Sequence, residues 1–181
     1  GQSSGGRGLV IFGCVDAHVY AVDADTGGLM WSFKTDGPVF AAPTVTRGQW
    51  PTLSAQRECR TYRAFVASAS GHLICLDMTG ELLWQQLAKF HGHSSPALDS
   101  PAGQIGFTGV GAESYTANMV VVGAVDGTLH IFAATDGSPL TTFRLPGPIF
   151  SSCVICAGKI VVGCRDDSLH CVDVLASAGG E

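Results

Sequence analysis

Residues 9–34 read LVIFGCVDAHVYAVDADTGGLMWSFK, and this stretch decides the fold. It opens on an apolar run, Leu9 to Phe12, that breaks at Gly13 and turns at Asp16. In Val19-Tyr20-Ala21-Val22-Asp23 the apolar residues alternate with period two, as in a half-buried strand. Thr26-Gly27 marks a second turn, and a third run ends the unit around Trp31.

The same pattern returns three times. Residues 64–86 read AFVASASGHLICLDMTGELLWQQ, 119–143 read MVVVGAVDGTLHIFAATDGSPLTTF, and 160–173 read IVVGCRDDSLHCVD. Gly13, Ala67, Gly123 and Gly163 share one slot, and Asp16, Ser70, Asp126 and Asp166 share the turn slot. Gly27, Gly80 and Gly137 close the next turn. Trp31 and Trp84 follow four residues later, where the third copy has Thr141. A linking segment also repeats: Gly37-Pro38-Val39-Phe40-Ala41-Ala42-Pro43 matches Gly147-Pro148-Ile149-Phe150-Ser151-Ser152-Cys153, with a weaker version at His91-Gly92-His93-Ser94-Ser95-Pro96. The step from Gly123 to Gly163, about 40 residues, is the underlying period. The longer steps carry expected surface insertions at 47–60 and 99–116.

Strands are expected at 9–15, 18–23, 28–34, 39–45, 62–69, 72–78, 81–87, 93–98, 118–124, 128–134, 139–144, 149–155, 159–164 and 168–174. Four strands in about 40 residues, repeated, predict blades of a β-propeller. The fold class is therefore all-β, a partial propeller of about 14 antiparallel strands. Two blades are complete (39–87 and 93–144) and two incomplete (9–34 and 149–174). Residues 1–8 and 176–181 are expected to be flexible ends.

Composition agrees. Charged residues are only 14% and hydrophobic residues 46%, which excludes a disordered tail. Gly is abundant, at 24 residues, and no coiled-coil composition is present. The net charge of −5 gives no electrostatic case for nucleic acid or an anionic membrane. The longest basic cluster, Arg57, Arg60 and Arg63, is expected in a loop. No apolar run is long enough for a spanning helix. Seven Cys, mostly within apolar runs, suggest buried free thiols and a cytoplasmic location.

Ala21-Val22-Asp23-Ala24-Asp25-Thr26-Gly27-Gly28-Leu29-Met30-Trp31 resembles the tryptophan-docking repeat of pyrroloquinoline-quinone (PQQ)-like propellers. Cys75-Leu76-Asp77-Met78-Thr79-Gly80-Glu81-Leu82-Leu83-Trp84 resembles it with one residue deleted. The Trp-Asp ends of WD repeats are absent, and the kelch pattern of paired glycines at strand ends does not recur in the copies. The resemblance implies that Trp31 and Trp84 lie on the Gly turns of neighbouring blades, where no Cβ obstructs them. Gly27, Gly80 and Gly137 are then docking glycines, and Asp16, Asp126 and Asp166 structural turn residues.

The tail, Pro146-Gly147-Pro148-Ile149-Phe150-Ser151-Ser152, then Ile160 to Asp166 and Cys171-Val172-Asp173, resembles the carboxyl-terminal propellers of the β-alanine-activating enzymes. These belong to the acyl-coenzyme A synthetases. That resemblance implies a parent with an adenylate-forming domain and a carrier domain, using ATP, magnesium and phosphopantetheine. None of that chemistry maps onto these residues. Asp167-Ser168-Leu169 spells a carrier site, but it sits in a repeat hairpin where the preceding copy has Gly127-Thr128-Leu129. The expectation is a non-catalytic scaffold or docking module of such an enzyme, itself an adenylate-forming ligase. Its partners would be the missing blades, the upstream domains and a protein partner.

Other readings fall short. Cys153-x-x-Cys156 is a single pair, where structural zinc wants four ligands. His91-x-His93 lacks a third ligand nearby. His18 and His72 share one repeat slot, and His130 and His170 another, which argues for structural roles. The alternative is part of a PQQ-dependent oxidoreductase. It lacks the vicinal Cys-Cys of that class, and Gln49-Trp50-Pro51 reads as a loop anchor. No catalytic, cofactor or metal residue is expected. The first and last units are incomplete, so the chain is expected to be a piece of a longer protein and to self-associate in isolation. Residues 168–174 should fray unless an upstream segment supplies the outer strand.

Overall fold

The computed structural model describes residues 8–50, 59–88, 93–98, 119–156 and 158–174. Among these, 14 strands form four antiparallel sheets, and no helix occurs. The first sheet is β1 (Leu9–Cys14), β2 (His18–Asp23) and β3 (Leu29–Lys34). The second is β4 (Thr44–Trp50), β5 (Cys59–Ala67), β6 (His72–Asp77) and β7 (Leu82–Leu87). The third is β8 (Ala97–Leu98), β9 (Met119–Gly123), β10 (Thr128–Ala133) and β11 (Pro139–Arg144). The fourth is β12 (Val154–Cys156), β13 (Lys159–Cys164) and β14 (Ser168–Asp173). Each sheet is a meander in chain order, three, four, four and three strands wide.

The apolar cores lie between sheets, as successive propeller blades require. Val19, Ala64, Val66, Ile74 and Leu76 fill the joint between the first and second blades. Phe65, Leu73, Cys75, Val120, Val122 and Phe132 fill the next. Val121, Leu129, Ile131, Ile149, Ile160 and Val162 fill the third. A strand covered on both faces must be apolar throughout. Hence Leu73 to Leu76 of β6 and Met119 to Val122 of β9 are continuously buried.

Three expected strands shift. Those placed at 39–45, 93–98 and 149–155 begin later, at Thr44, Ala97 and Val154. The Gly-Pro-apolar connectors ahead of β4 and β12 are bound to turns instead. Val39 N–H donates to Cys14 O at 3.0 Å, and Ala69 N–H donates to Pro38 O at 2.8 Å. Ile149 N–H and Arg165 N–H make the matching bonds to Ala124 O and Pro148 O. Each of these two connectors is thereby clamped between the hairpin turns of two blades. Its apolar residue plugs the joint: a methyl group on Gly13 would overlap Val39, and one on Gly123 would overlap Ile149. That packing accounts for glycine at positions 13 and 123.

The segment 47–60 is not simply a surface insertion. The β4–β5 ladder runs through Arg47↔Tyr62 to Trp50↔Cys59, so both arms extend the blade. Residues 51–58 lie outside the described residues, as do 99–116 and most of both ends.

Candidate functional site

Two features organise the molecule: the joints between blades, and the end where connectors meet hairpin turns. At the joints, Trp31 of β3 crosses to the second blade. Its indole N–H donates to Met78 O at 2.9 Å. Gly80 lies beneath it at φ +85°, and a Cβ there would stand 2.7 Å from the indole. Trp84 repeats the arrangement on the third blade, donating to Ala134 O at 3.3 Å over Gly137. Gly27 has the same positive φ, +70°, but nothing within 4 Å of its would-be Cβ.

The turns carrying these glycines are built by carboxylates. Asp23 Oδ1 accepts from the Thr26 amide at 2.8 Å and its hydroxyl at 2.9 Å. Asp77 Oδ1 does the same for Thr79 and also accepts from Glu81 N–H. In the third copy Asp136 substitutes, accepting from the amide and hydroxyl of Ser138.

Arg63 does not lie in a loop. It sits in β5, nearly buried, because its guanidinium has partners across the joint. It donates to Ala134 O at 3.2 Å and Thr135 O at 2.9 Å, and stacks 4.1 Å from the Trp50 ring centroid. Trp50 is likewise a core residue at 3% exposure rather than a loop anchor. Arg60 belongs to β5 as well, and Arg57 lies outside the described residues. An arginine within Ala64-Phe65-Val66 territory was the available sequence signal.

At the other feature, Asp16, Asp126 and Asp166 each accept from the amide two residues on, at 3.1, 2.8 and 3.1 Å. Asp16 also accepts from the Tyr20 hydroxyl at 2.7 Å, which holds its carboxyl below the usual range and raises Tyr20. Burial raises Asp126, but the bonds from Thr128 and the Arg144 charge outweigh it, for a net lowering. Phe40, His93 and Phe150 occupy one slot of three successive connectors. Their rings line up at 4.9 and 5.8 Å, and Arg165 caps the row 4.4 Å from Phe150. Hydrogen bonds join the same connectors: Ala42 N–H to Ser95 Oγ, Ser95 N–H to Ser152 Oγ, and Thr44 Oγ1 to Pro96 O. His91 lies outside the described residues.

Ser70, His72 and Asp36 come together, but not as a catalytic triad. Ser70 Oγ is 3.1 Å and Asp36 Oδ2 3.5 Å from the same nitrogen, His72 Nδ1. A relay needs the nucleophile and the carboxylate on opposite nitrogens. Burial pushes the thiols of Cys75 and Cys153 up to about 12, so neither is nucleophilic near neutrality. Ser168 opens β14, and its amide is held by Asp166, so it heads a strand rather than a helix.

A family model described as outer membrane protein assembly factor BamB matches residues 3–62. The Danio rerio β-alanine-activating enzyme is 31% identical over 167 residues, 92% of this chain and 9% of that protein. The Homo sapiens protein of the same name is 24% identical over 62% of this chain, again 9% of its own length. This chain thus spans about a tenth of those relatives. Among solved structures, BamB from Moraxella catarrhalis superposes with a TM-score of 0.64 at 19% identity, over 93% of this chain and 44% of that one. The computationally designed Ika4 protein superposes at 0.63 and 16% identity, over 96% and 94%. The chain is a run of β-propeller blades, similar over residues 3–62 to the BamB family model and in sequence to β-alanine-activating enzymes.

Proposed function

We propose that these blades are a non-catalytic docking module of a larger enzyme that activates an amino or acyl acid with ATP. In that parent, ATP, magnesium and phosphopantetheine act outside these residues. The observation that carries the reading is the 31% identity to the Danio rerio β-alanine-activating enzyme across 92% of this chain. The site geometry supports it. The described Asp, Ser and Trp side chains of the repeats serve turns and joints, and Ser70, His72 and Asp36 do not form a relay.

The partners follow from exposed apolar surface. Val10 and Phe12 of β1 are 50% and 42% exposed, and Val154 and Leu169 of the fourth blade 61% and 74%. Further blades of the parent would cover those faces, and the assembly would work in the cytoplasm. The test uses the full-length parent carrying Trp31→Ala and Trp84→Ala together. β-Alanine-dependent ATP–pyrophosphate exchange should persist, while proteolysis releases the propeller faster. Loss of exchange with the upstream domains still folded would overturn the reading. A calcium-dependent absorbance change on adding PQQ to this chain would favour an oxidoreductase instead.

A further inference from the structure

The fourth blade gathers Cys164, Asp166 and His170, with one ligand atom from each within 4.8 Å of the others. Cys164 ends β13 opposite Ser168, and His170 lies two residues further along β14. Cys164 and His170 therefore share a sheet face, and the turn swings Asp166 between them. His170 Nε2 and Asp166 Oδ2 are 2.7 Å apart, and Cys164 Sγ donates to Gly147 O at 3.1 Å. The imidazole and carboxylate are 25% and 20% exposed, so solvent reaches a largely shielded cluster.

The repeat supplies internal controls. The first copy has Cys14 and Asp16 but Tyr20 in the third slot. The second has Ser68, Ser70 and Ile74, and the third Ala124, Asp126 and His130. Only the fourth unites thiol, carboxylate and imidazole. The hydroxyl of Tyr20 bonds Asp16 at 2.7 Å, the same separation as the His170–Asp166 pair. A phenol thus satisfies the turn, so turn stability does not account for an imidazole beside a thiol.

We infer that Cys164, Asp166 and His170 bind a divalent cation of the zinc class, leaving a fourth position for water or an outside ligand. Three protein ligands and one open position are typical of reactive zinc sites. Sulfur and nitrogen donors favour zinc or cobalt over magnesium and calcium. Binding exchanges the thiol proton, released to solvent, for a metal–thiolate bond. The Asp166–His170 hydrogen bond gives way to two coordinate bonds, with the imidazole proton on Nδ1. Thiolate and carboxylate neutralise the ion's two charges. This site departs from the metal-free expectation of the sequence.

The test is a cobalt(II) titration of the 181-residue chain, read by thiolate-to-cobalt absorbance in the near ultraviolet. One equivalent should produce the band, and zinc should erase it. Cys164→Ser should abolish it, and Cys14→Ser should leave it intact. His170→Tyr reproduces the first copy's turn, so it should keep the wild-type melting temperature without metal. It should weaken cobalt binding by more than the roughly 10–100-fold that loss of a supporting partner costs. No band in the wild type, a band that survives Cys164→Ser, or unchanged affinity in His170→Tyr would each overturn the site.

Discussion

The two central blades and the two outer ones share a repeat but not an environment. In β5 and β9, Ala64, Phe65, Val66 and Val120, Val121, Val122 are wholly buried. In the same slots of β1, Val10 and Phe12 are half exposed. In the fourth blade Ile160 and Val162 are buried against the third, while Leu169 on its far face is 74% exposed. The glycine turns divide likewise: Gly80 and Gly137 lie under an indole, and Gly27 under nothing. What stabilises a blade here is its neighbour, since each core lies between sheets and not within one.

The largest contrast should come from the indoles. Trp84→Ala removes a ring packed on Gly137 and against Phe65, at 5.8 Å between centroids, and should cost about 3 kcal/mol in chemical denaturation. An equal loss from Phe12→Ala, expected at under about 1 kcal/mol, would erase the distinction between inner and outer blades.

Next come the glycines. Gly80→Ala forces a Cβ into Trp31 as well as straining a positive φ, whereas Gly27→Ala adds only the strain. The strain alone is about 1–2 kcal/mol. Gly80→Ala should exceed that by a further 1–3 kcal/mol, roughly the cost of overpacking. Equal melting temperatures for the two variants would show that the indole does not constrain the turn.

The fold was legible where a signal was local and repeated. Alternation in β2, the Asp-Gly turns and the third strands with their Trp needed no long-range knowledge. The inner strands β4 and β12 were placed too early, because an apolar Gly-Pro connector looks like a strand until its amides are traced to neighbouring turns. Arg63 was hidden for a related reason. Its acceptors, Ala134 O and Thr135 O, are 71 and 72 residues away in sequence. The Phe40–His93–Phe150 row likewise appears only once blades are set side by side, whereas the Cys164 cluster lies within one hairpin of the fourth blade.

The smallest effect concerns acid. Burial raises Asp77, but bonds from Thr79, Glu81 and Gly80 outweigh it, and Ser138 lowers Asp136 directly. Each folded pKa therefore lies below the unfolded value. These carboxylates contribute stability that is complete above the usual carboxylate range and is lost as pH falls through the folded pKa. The denaturation midpoint should stay level from about pH 7 to 5 and decline below about 4, less steeply in Asp77→Asn. An identical slope in that variant would remove Asp77 from the account.

The most direct measurement is a double-mutant cycle between Trp84 and Gly137, read by denaturant unfolding of wild type, Trp84→Ala, Gly137→Ala and the double variant. If the indole rests on the glycine turn, Gly137→Ala should be costly in the wild type. Once Trp84 is Ala, it should cost only what Gly27→Ala costs. The coupling should then exceed about 1 kcal/mol. Additivity within about 0.3–0.5 kcal/mol would contradict the claim that these blades are joined by tryptophan docked on glycine.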